Sequence, residues 1–241
     1  MFSFGRSRSG DGASSGRAKD DFAAARERLL TEIEYEMRET VGYTGRGHLS
    51  DRVHRAMGEV PRHEFVPEED VQNAYVNRAR GIGYGQTISQ PYIVALMTEL
   101  LDLEPSDRVL EIGTGCGYQA AVLSGLVAEV YSIEFVPELG TEAGERLRRL
   151  GYDNVEVRIG DGRLGWPEKA PFDGIIVTAV AEDVPQPLLD QLANGGRMMI
   201  PLGASYGAQD LVLVTKDENG EVSHKAVLPV AFVPLVKGAS E

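Results

Sequence analysis

One cysteine, Cys116, is all that the sequence contains. An intramolecular disulfide is therefore impossible, and a cysteine-based metal cluster is excluded with it. Long apolar runs are missing as well. No stretch approaches the roughly 20 residues needed to cross a bilayer, and the N-terminus lacks the hydrophobic segment of a signal peptide. A cytoplasmic protein with no membrane partner is expected. Basic residues are in deficit, with 24 Lys and Arg against 37 Asp and Glu and a formal net charge of −13. That balance argues against sequence-independent binding of nucleic acid, whose affinity comes from neutralised phosphates. Histidines are few and scattered: His48, His54, His63 and His224 read as surface or packing residues.

What is present suits one α/β domain with appendages: 241 residues, of which 42% are hydrophobic, can bury a sizeable core. Residues 1–20 are rich in Gly, Ser and Arg and read as a disordered tail. From Asp21 to about Thr40, the residues Phe22, Leu29, Leu30, Ile33 and Met37 recur at helical spacing among charges. Further helices are expected at Ser50–Met57 and Glu68–Tyr75, either side of a proline-punctuated connection at 61–67. This helical region, residues 21–80, lacks a core of its own and should pack as a subdomain or lid on the remainder, 81–241.

After a flexible glycine-rich stretch at 79–85 comes an apolar helix, Tyr92–Leu101. Strand patterns at 108–112, 129–134, 155–158, 173–178 and 197–200 then alternate with helical ones at 118–127, 137–150 and 185–192. Such β-α alternation implies a mostly parallel, doubly wound sheet. Strand-like runs at 210–215 and 223–233, separated by Lys216–Gly220, should close the sheet with an antiparallel hairpin.

The sheet is organised around Val109-Leu-Glu-Ile-Gly-Thr-Gly-Cys-Gly-Tyr118. An apolar strand, three alternate glycines and a helix make a turn where backbone can approach a ligand beneath a helix N-terminus. The dinucleotide fingerprint G-x-G-x-x-G does not fit, because Tyr118 stands where its third glycine belongs. The acid before the first glycine and a second acid ending the next strand suit a nucleoside with a cationic amino-acid tail, namely S-adenosylmethionine. On this reading Glu111, Gly113, Thr114, Gly115 and Gly117 bind the methionine and ribose. Glu134 accepts hydrogen bonds from the ribose diol, and Asp161 beside Gly162 reads the adenine amino group. The alternative is an α/β fold whose glycines serve only packing and whose Gly160–Gly162 is a plain turn. Ser89 and Thr87, between the glycine-rich stretch and a helix start, are candidates to orient a carboxylate; equally, Ser89 caps the helix. Cys116 reads as a small packing residue.

Gly85-Gln-Thr-Ile-Ser-Gln-Pro91 together with the Val109–Tyr118 segment, Gly160-Asp-Gly162, Ala170-Pro-Phe-Asp173 and Val233-Pro-Leu235 resembles the protein-L-isoaspartate O-methyltransferase family. The likeness runs in order from about residue 25 onward, and the Gln86–Ser89 portion is its discriminating piece. It implies a Rossmann-like methyltransferase sheet with Ser89 as the active-site serine and Thr87 and Ile88 beside it. Glu134 and Asp161 fall on the nucleotide-binding acids, and Val233, Pro234 and Leu235 on a segment that holds the peptide. The implied reaction carries a methyl group from S-adenosylmethionine to the free α-carboxylate of an L-isoaspartyl residue in damaged proteins and peptides. The ester then collapses to a succinimide, whose hydrolysis restores some normal linkage. No metal is implied, and a monomer is favoured. Two rivals stand beside this: a carboxyl methyltransferase of the same build acting on one specific peptide or protein, and a non-catalytic module that binds S-adenosylmethionine or a partner.

Overall fold

A computed structural model of the chain describes residues 13–204 and 207–235. The first helix, α1, spans Ala13–Glu39 and so begins before Asp21, taking in the end of the segment read as tail; residues 1–12 of that segment lie outside the described residues. Helix α2 is a single turn, Val41–Thr44, closed by Gly45 in the left-handed conformation. Helix α3, Asp51–Glu59, starts where the Ser50 side chain accepts a hydrogen bond from the Val53 amide. Two 3-10 turns follow, Arg62–Glu64 and Glu68–Asn73, the second where an α-helix was expected.

The glycine-rich stretch is an ordered hairpin. Strand β1 (Arg80–Gly83) pairs antiparallel with β2 (Gln86–Ile88). Its tip carries three successive residues at positive φ, Gly83, Tyr84 and Gly85. Two glycines make that tip cheap; Tyr84 adopts the left-handed region without that freedom. At the base of the hairpin the Arg80 guanidinium pairs with Asp70, and near its tip Ile82 reaches over Gly115.

Helix α4, Pro91–Leu101, is buried along its whole length, as its nearly unbroken apolar sequence requires. Beyond it the chain alternates as expected: β3 (Arg108–Ile112), α5 (Tyr118–Ser124), β4 (Glu129–Glu134), α6 (Pro137–Arg149), β5 (Val155–Ile159), β6 (Phe172–Val177), α7 (Gln186–Gln191) and β7 (Leu192–Gly203). Strand β7 starts earlier than the turn-like Asn194-Gly-Gly196 suggested. Those residues form a register shift within the strand, with Gly195 at positive φ, and no turn precedes it. Strands β8 (Gln209–Lys216) and β9 (Val222–Val230) complete a seven-stranded sheet of order β5-β4-β3-β6-β7-β8-β9. The first five are mutually parallel and the last two antiparallel. This is the doubly wound, mostly parallel sheet with an antiparallel end that the sequence implied.

Strand periodicity divides the interior between the two faces. On β3 and β6, Val109 and Ile176 face a cluster shared with α1, α3, α4 and α5; Leu110, Ile112, Ile175 and Val177 face another built with Trp166, Leu188 and Leu192. Leu29, Ile33 and Met37 of α1 and Val53 of α3 belong to the first cluster, so the N-terminal helices pack against α4 and α5. No helix of the described residues is long and apolar enough to cross a membrane.

Candidate functional site

Chain order reverses between β3 and β6: the first run of strands goes outward to β5 and the second returns beside β3. Ligands of open α/β sheets sit beyond the strand C-termini at such a point, and a cavity lies there. Its walls come from the ends of β3, β4 and β6, the start of α4 and the chain after β9.

Gly113 leaves β3 at φ +93°, where a Cβ would overlap Thr178 Oγ1, so only glycine lets the backbone turn under the cavity. Thr178 Oγ1 in turn lies 2.8 Å from the Gly113 carbonyl oxygen, tying the end of β6 to the turn. Gly162 lies against Ile112 so closely that any side chain there would overlap Ile112 Cγ2.

Two carboxylates line this space and both are buried. Glu134 ends β4 and accepts hydrogen bonds from two backbone amides, Gly115 N at 2.7 Å and Val136 N at 2.9 Å. Each oxygen keeps a further lone pair for a ligand. Glu111 sits inside β3. Its Oε2 accepts from Ser132 Oγ at 2.5 Å, and that hydroxyl meets Thr114 Oγ1 at 2.6 Å. Oε1 is buried with no partner among the described residues. Burial pushes the Glu111 carboxyl up to about 8; the Ser132 hydrogen bond opposes this and the charge of Glu134 adds to it. No Lys, Arg or His belongs to the lining. Buried acids with an unused oxygen and no resident cation suit a positively charged ligand, and the donor set fits S-adenosylmethionine, which carries an ammonium and a sulfonium.

The same cavity brings together the residues expected to meet a carboxylate substrate. Ser89 lies between β2 and α4 and lines the cavity with Thr87 and Ile88. It does not cap the helix: Gln90 is the cap residue, without a side-chain capping bond, and Pro91 opens α4. Val233, Pro234 and Leu235 line the same space. Backbone bonds hold them there, from Val180 N to the Val233 carbonyl oxygen and from Leu235 N to the Val180 carbonyl oxygen, both 2.9 Å.

Of the expected cofactor residues, Glu111, Gly113, Thr114, Gly115, Glu134 and Gly162 line the cavity; Gly117 and Asp161 do not. Gly117 serves as the N-cap of α5. Asp161 turns to its own neighbour, accepting from Arg163 N and Nε at 3.0 Å each and from Nη2 at 2.5 Å. Several lining residues escaped the sequence reading: Gln119, Phe135, Val136, Thr178 and Ala179. Phe135 had a signal, an aromatic directly after the acid that ends β4, and it stands 37% exposed at the cavity. Cys116 also lines the space; burial raises its thiol pKa, as an apolar packing role requires. Among the described residues, no group of three or more His, Cys, Asp or Glu is arranged to hold a metal ion.

Comparison with known proteins gives the geometry its context. Residues 42–240 match the family model described as protein-L-isoaspartate(D-aspartate) O-methyltransferase. Protein-L-isoaspartate O-methyltransferase 2 of Syntrophobacter fumaroxidans is 56% identical over 227 residues, covering 94% of this chain and 92% of that protein. The enzyme of the same name from Archaeoglobus fulgidus is 50% identical over 218 residues, 89% of this chain and 94% of its own. A solved protein-L-isoaspartate O-methyltransferase superposes with a TM-score of 0.75 at 30% identity, covering 88% of this chain and 66% of the other, just under two thirds of its length. A Plasmodium falciparum structure assigned to the same activity, in complex with S-adenosyl-L-homocysteine, gives a TM-score of 0.69 at 27% identity over 84% of this chain and 98% of that one.

Proposed function

The chain belongs to the protein-L-isoaspartate(D-aspartate) O-methyltransferase family, and from that premise we propose how its cavity methylates the free α-carboxylate of L-isoaspartyl residues in proteins and peptides. The observation that carries the reading is that one cavity is lined by both groups of residues. Buried acids, Glu111 and Glu134, line it with the glycine turn, and Ser89 and Val233–Leu235 line it as well.

S-adenosylmethionine, when bound, supplies an electrophilic methyl group on a sulfonium centre, which a carboxylate oxygen takes in one displacement that leaves a neutral thioether. The nucleophile is already ionised at neutral pH, so no general base is needed. The protein's task is alignment. Ser89 donates its hydroxyl hydrogen to one carboxylate oxygen and leaves the other directed at the methyl group. Thr87, Ile88 and the Val233–Leu235 segment hold the peptide main chain, a recognition that suits lesions arising in many sequences. Glu134, its orientation fixed by two amides, accepts from the ribose hydroxyls. Gly113, Thr114 and Gly115 keep the turn low enough for the methionine portion to approach, Gly117 starts the helix behind it, and Phe135 and Gly162 flank the adenine. Asp161 reaches the adenine amino group only by sharing the carboxylate now given to Arg163. The experiment for the whole reading is methyl transfer from labelled S-adenosylmethionine to matched isoaspartyl and aspartyl peptides. Base-labile label is expected on the isoaspartyl member alone; equal labelling, or none, defeats it.

Glu111 gives a second test. Its carboxyl, pushed up to about 8, is mostly protonated at neutral pH in the ligand-free protein. The ligand's ammonium favours the ionised form, so binding at pH 7 is expected to release close to one proton, and affinity should rise with pH until about 8 and then level. Calorimetry in two buffers of different ionisation enthalpy measures this, and Glu111→Gln should abolish the release. Unaltered proton release in that variant would remove Glu111 from the account. Because the folded value is the raised one, the same group's contribution to stability is full below its ordinary value of 4.5 and is lost as pH climbs through about 8.

Cytoplasmic work without nucleic acid completes the proposal. A chain with a single cysteine needs no oxidising compartment, and its net charge of −13 repels phosphate backbones.

A further inference from the structure

Arg62 is fully buried, at 0% exposure, in the proline-punctuated connection that the sequence reading passed over. Its Nε donates to the carbonyl oxygen of Ala74 at 2.9 Å and its Nη2 to that of Ser89 at 2.8 Å. The guanidinium lies over the ring of Tyr118, 4.6 Å from the centroid. Nη1 has no partner among the described residues. The groups that bear on its charge are Tyr118, Cys116 and Tyr75, none of them a carboxylate.

A buried guanidinium without a counter-ion is costly, and an apolar side chain of similar length would fill the same space at less expense in solvation. What the arginine alone provides is a planar fork whose donors point in fixed directions. Here the fork joins two main-chain segments that bear on the cavity. Ala74 lies just before the β1–β2 hairpin, and Ser89 lies just after it. Tyr118, stacked beneath the fork, opens α5 directly after the glycine turn and itself lines the cavity. The edge of Phe65, at 5.6 Å and 67°, holds that ring from another side.

We propose that Arg62 is a positioning residue for methyl transfer: by gripping the Ser89 carbonyl oxygen it fixes the main chain on which the hydroxyl is carried, and so the direction of that hydroxyl into the cavity. The inference rests on the reading of Ser89 given above. The fixed direction is the source of the effect, and the charge is not. A cation near the site steadies a bound carboxylate, but that stabilisation shrinks as the carboxylate becomes a neutral ester, so charge alone favours binding over turnover. Arg62→Lys, which keeps the charge and loses the fork, is therefore the informative substitution.

The experiment is a double-mutant cycle with Arg62→Lys, Ser89→Ala and the double variant, reading kcat on an isoaspartyl peptide and S-adenosylmethionine affinity by calorimetry. Arg62→Lys is expected to lower kcat by about 10- to 100-fold and leave cofactor affinity within about twofold. In the Ser89→Ala background the same substitution should have no further effect. Additive losses, or a parallel loss of cofactor affinity, overturn the proposal and make Arg62 a structural residue. If Ser89→Ala alone leaves kcat intact, the reading of Ser89 itself fails; if it lowers kcat and the two losses add, only the role of Arg62 fails. Should the lysine variant not fold, Arg62→Gln, which retains a planar donor, enters the same cycle, and failure of both to fold counts against a positioning role.

Discussion

Turnover falls about 100-fold on Ser89→Ala while affinity for S-adenosylmethionine stays within about twofold: this is the expected result, and the geometry says why the two should separate. The hydroxyl acts by alignment, and a nucleophile misplaced by about 1 Å loses on the order of 100-fold in rate. The Ser89 hydroxyl has no structural duty that would blur the measurement, because Gln90 and Pro91 begin α4 without it. The hydrogen bonds that hold Glu134 and Glu111 come from Gly115, Val136 and Ser132, so removal of the Ser89 hydroxyl leaves the acids that favour a cation in place. Steady-state kinetics on an isoaspartyl peptide together with calorimetric titration of the cofactor measure both quantities. Equal losses would show that the residue shapes the cavity and does not orient the nucleophile.

The complementary substitution, Glu134→Ala, should weaken S-adenosylmethionine binding by about 100-fold or more. Two losses combine. Hydrogen bonds from ribose hydroxyls to a buried carboxylate contribute about 1.5–3 kcal/mol each. The amides of Gly115 and Val136, now bonded to its two oxygens, would be left to find water inside the turn. Glu134→Gln separates these contributions, since an amide side chain can still accept from one backbone N–H but cannot serve both and the ribose. Calorimetric affinities for the three proteins should fall in the order Glu, Gln, Ala, and kcat at saturating cofactor should change much less than affinity. An alanine variant that binds as tightly as the parent would deny Glu134 its place at the ribose.

Legibility in the sequence followed how local each cause was. The alternation of strands and helices between residues 108 and 200 was readable because β3, β4 and β6 are apolar runs of strand length bounded by glycine or polar turns. The cavity acids were readable because Glu111 and Glu134 lie within the last two residues of β3 and β4, near the edge where parallel sheets present their ligand groups. The β1–β2 hairpin was not. Its three positive-φ positions look like slack, and the contacts that meet the hairpin, Arg80 with Asp70 and Ile82 over Gly115, join residues outside any one local pattern. Nor was the register shift in β7, where Asn194–Gly196 carries turn chemistry into a strand. For Asp161 the motif marks a position and not its company: Arg163, two residues on, holds its carboxylate. Arg62 gave no signal at all, for its partners are backbone oxygens, which no residue pattern announces.

The single thiol has a practical consequence. Cys116 is the only sulfhydryl in the sequence and it looks into the cavity that the nucleoside would fill. A maleimide or other alkylating dye therefore has one thiol to react with on this chain, and the burial that raises its pKa slows that reaction. Labelling rate becomes an intrinsic gauge of occupancy, with no foreign fluorophore engineered into the molecule.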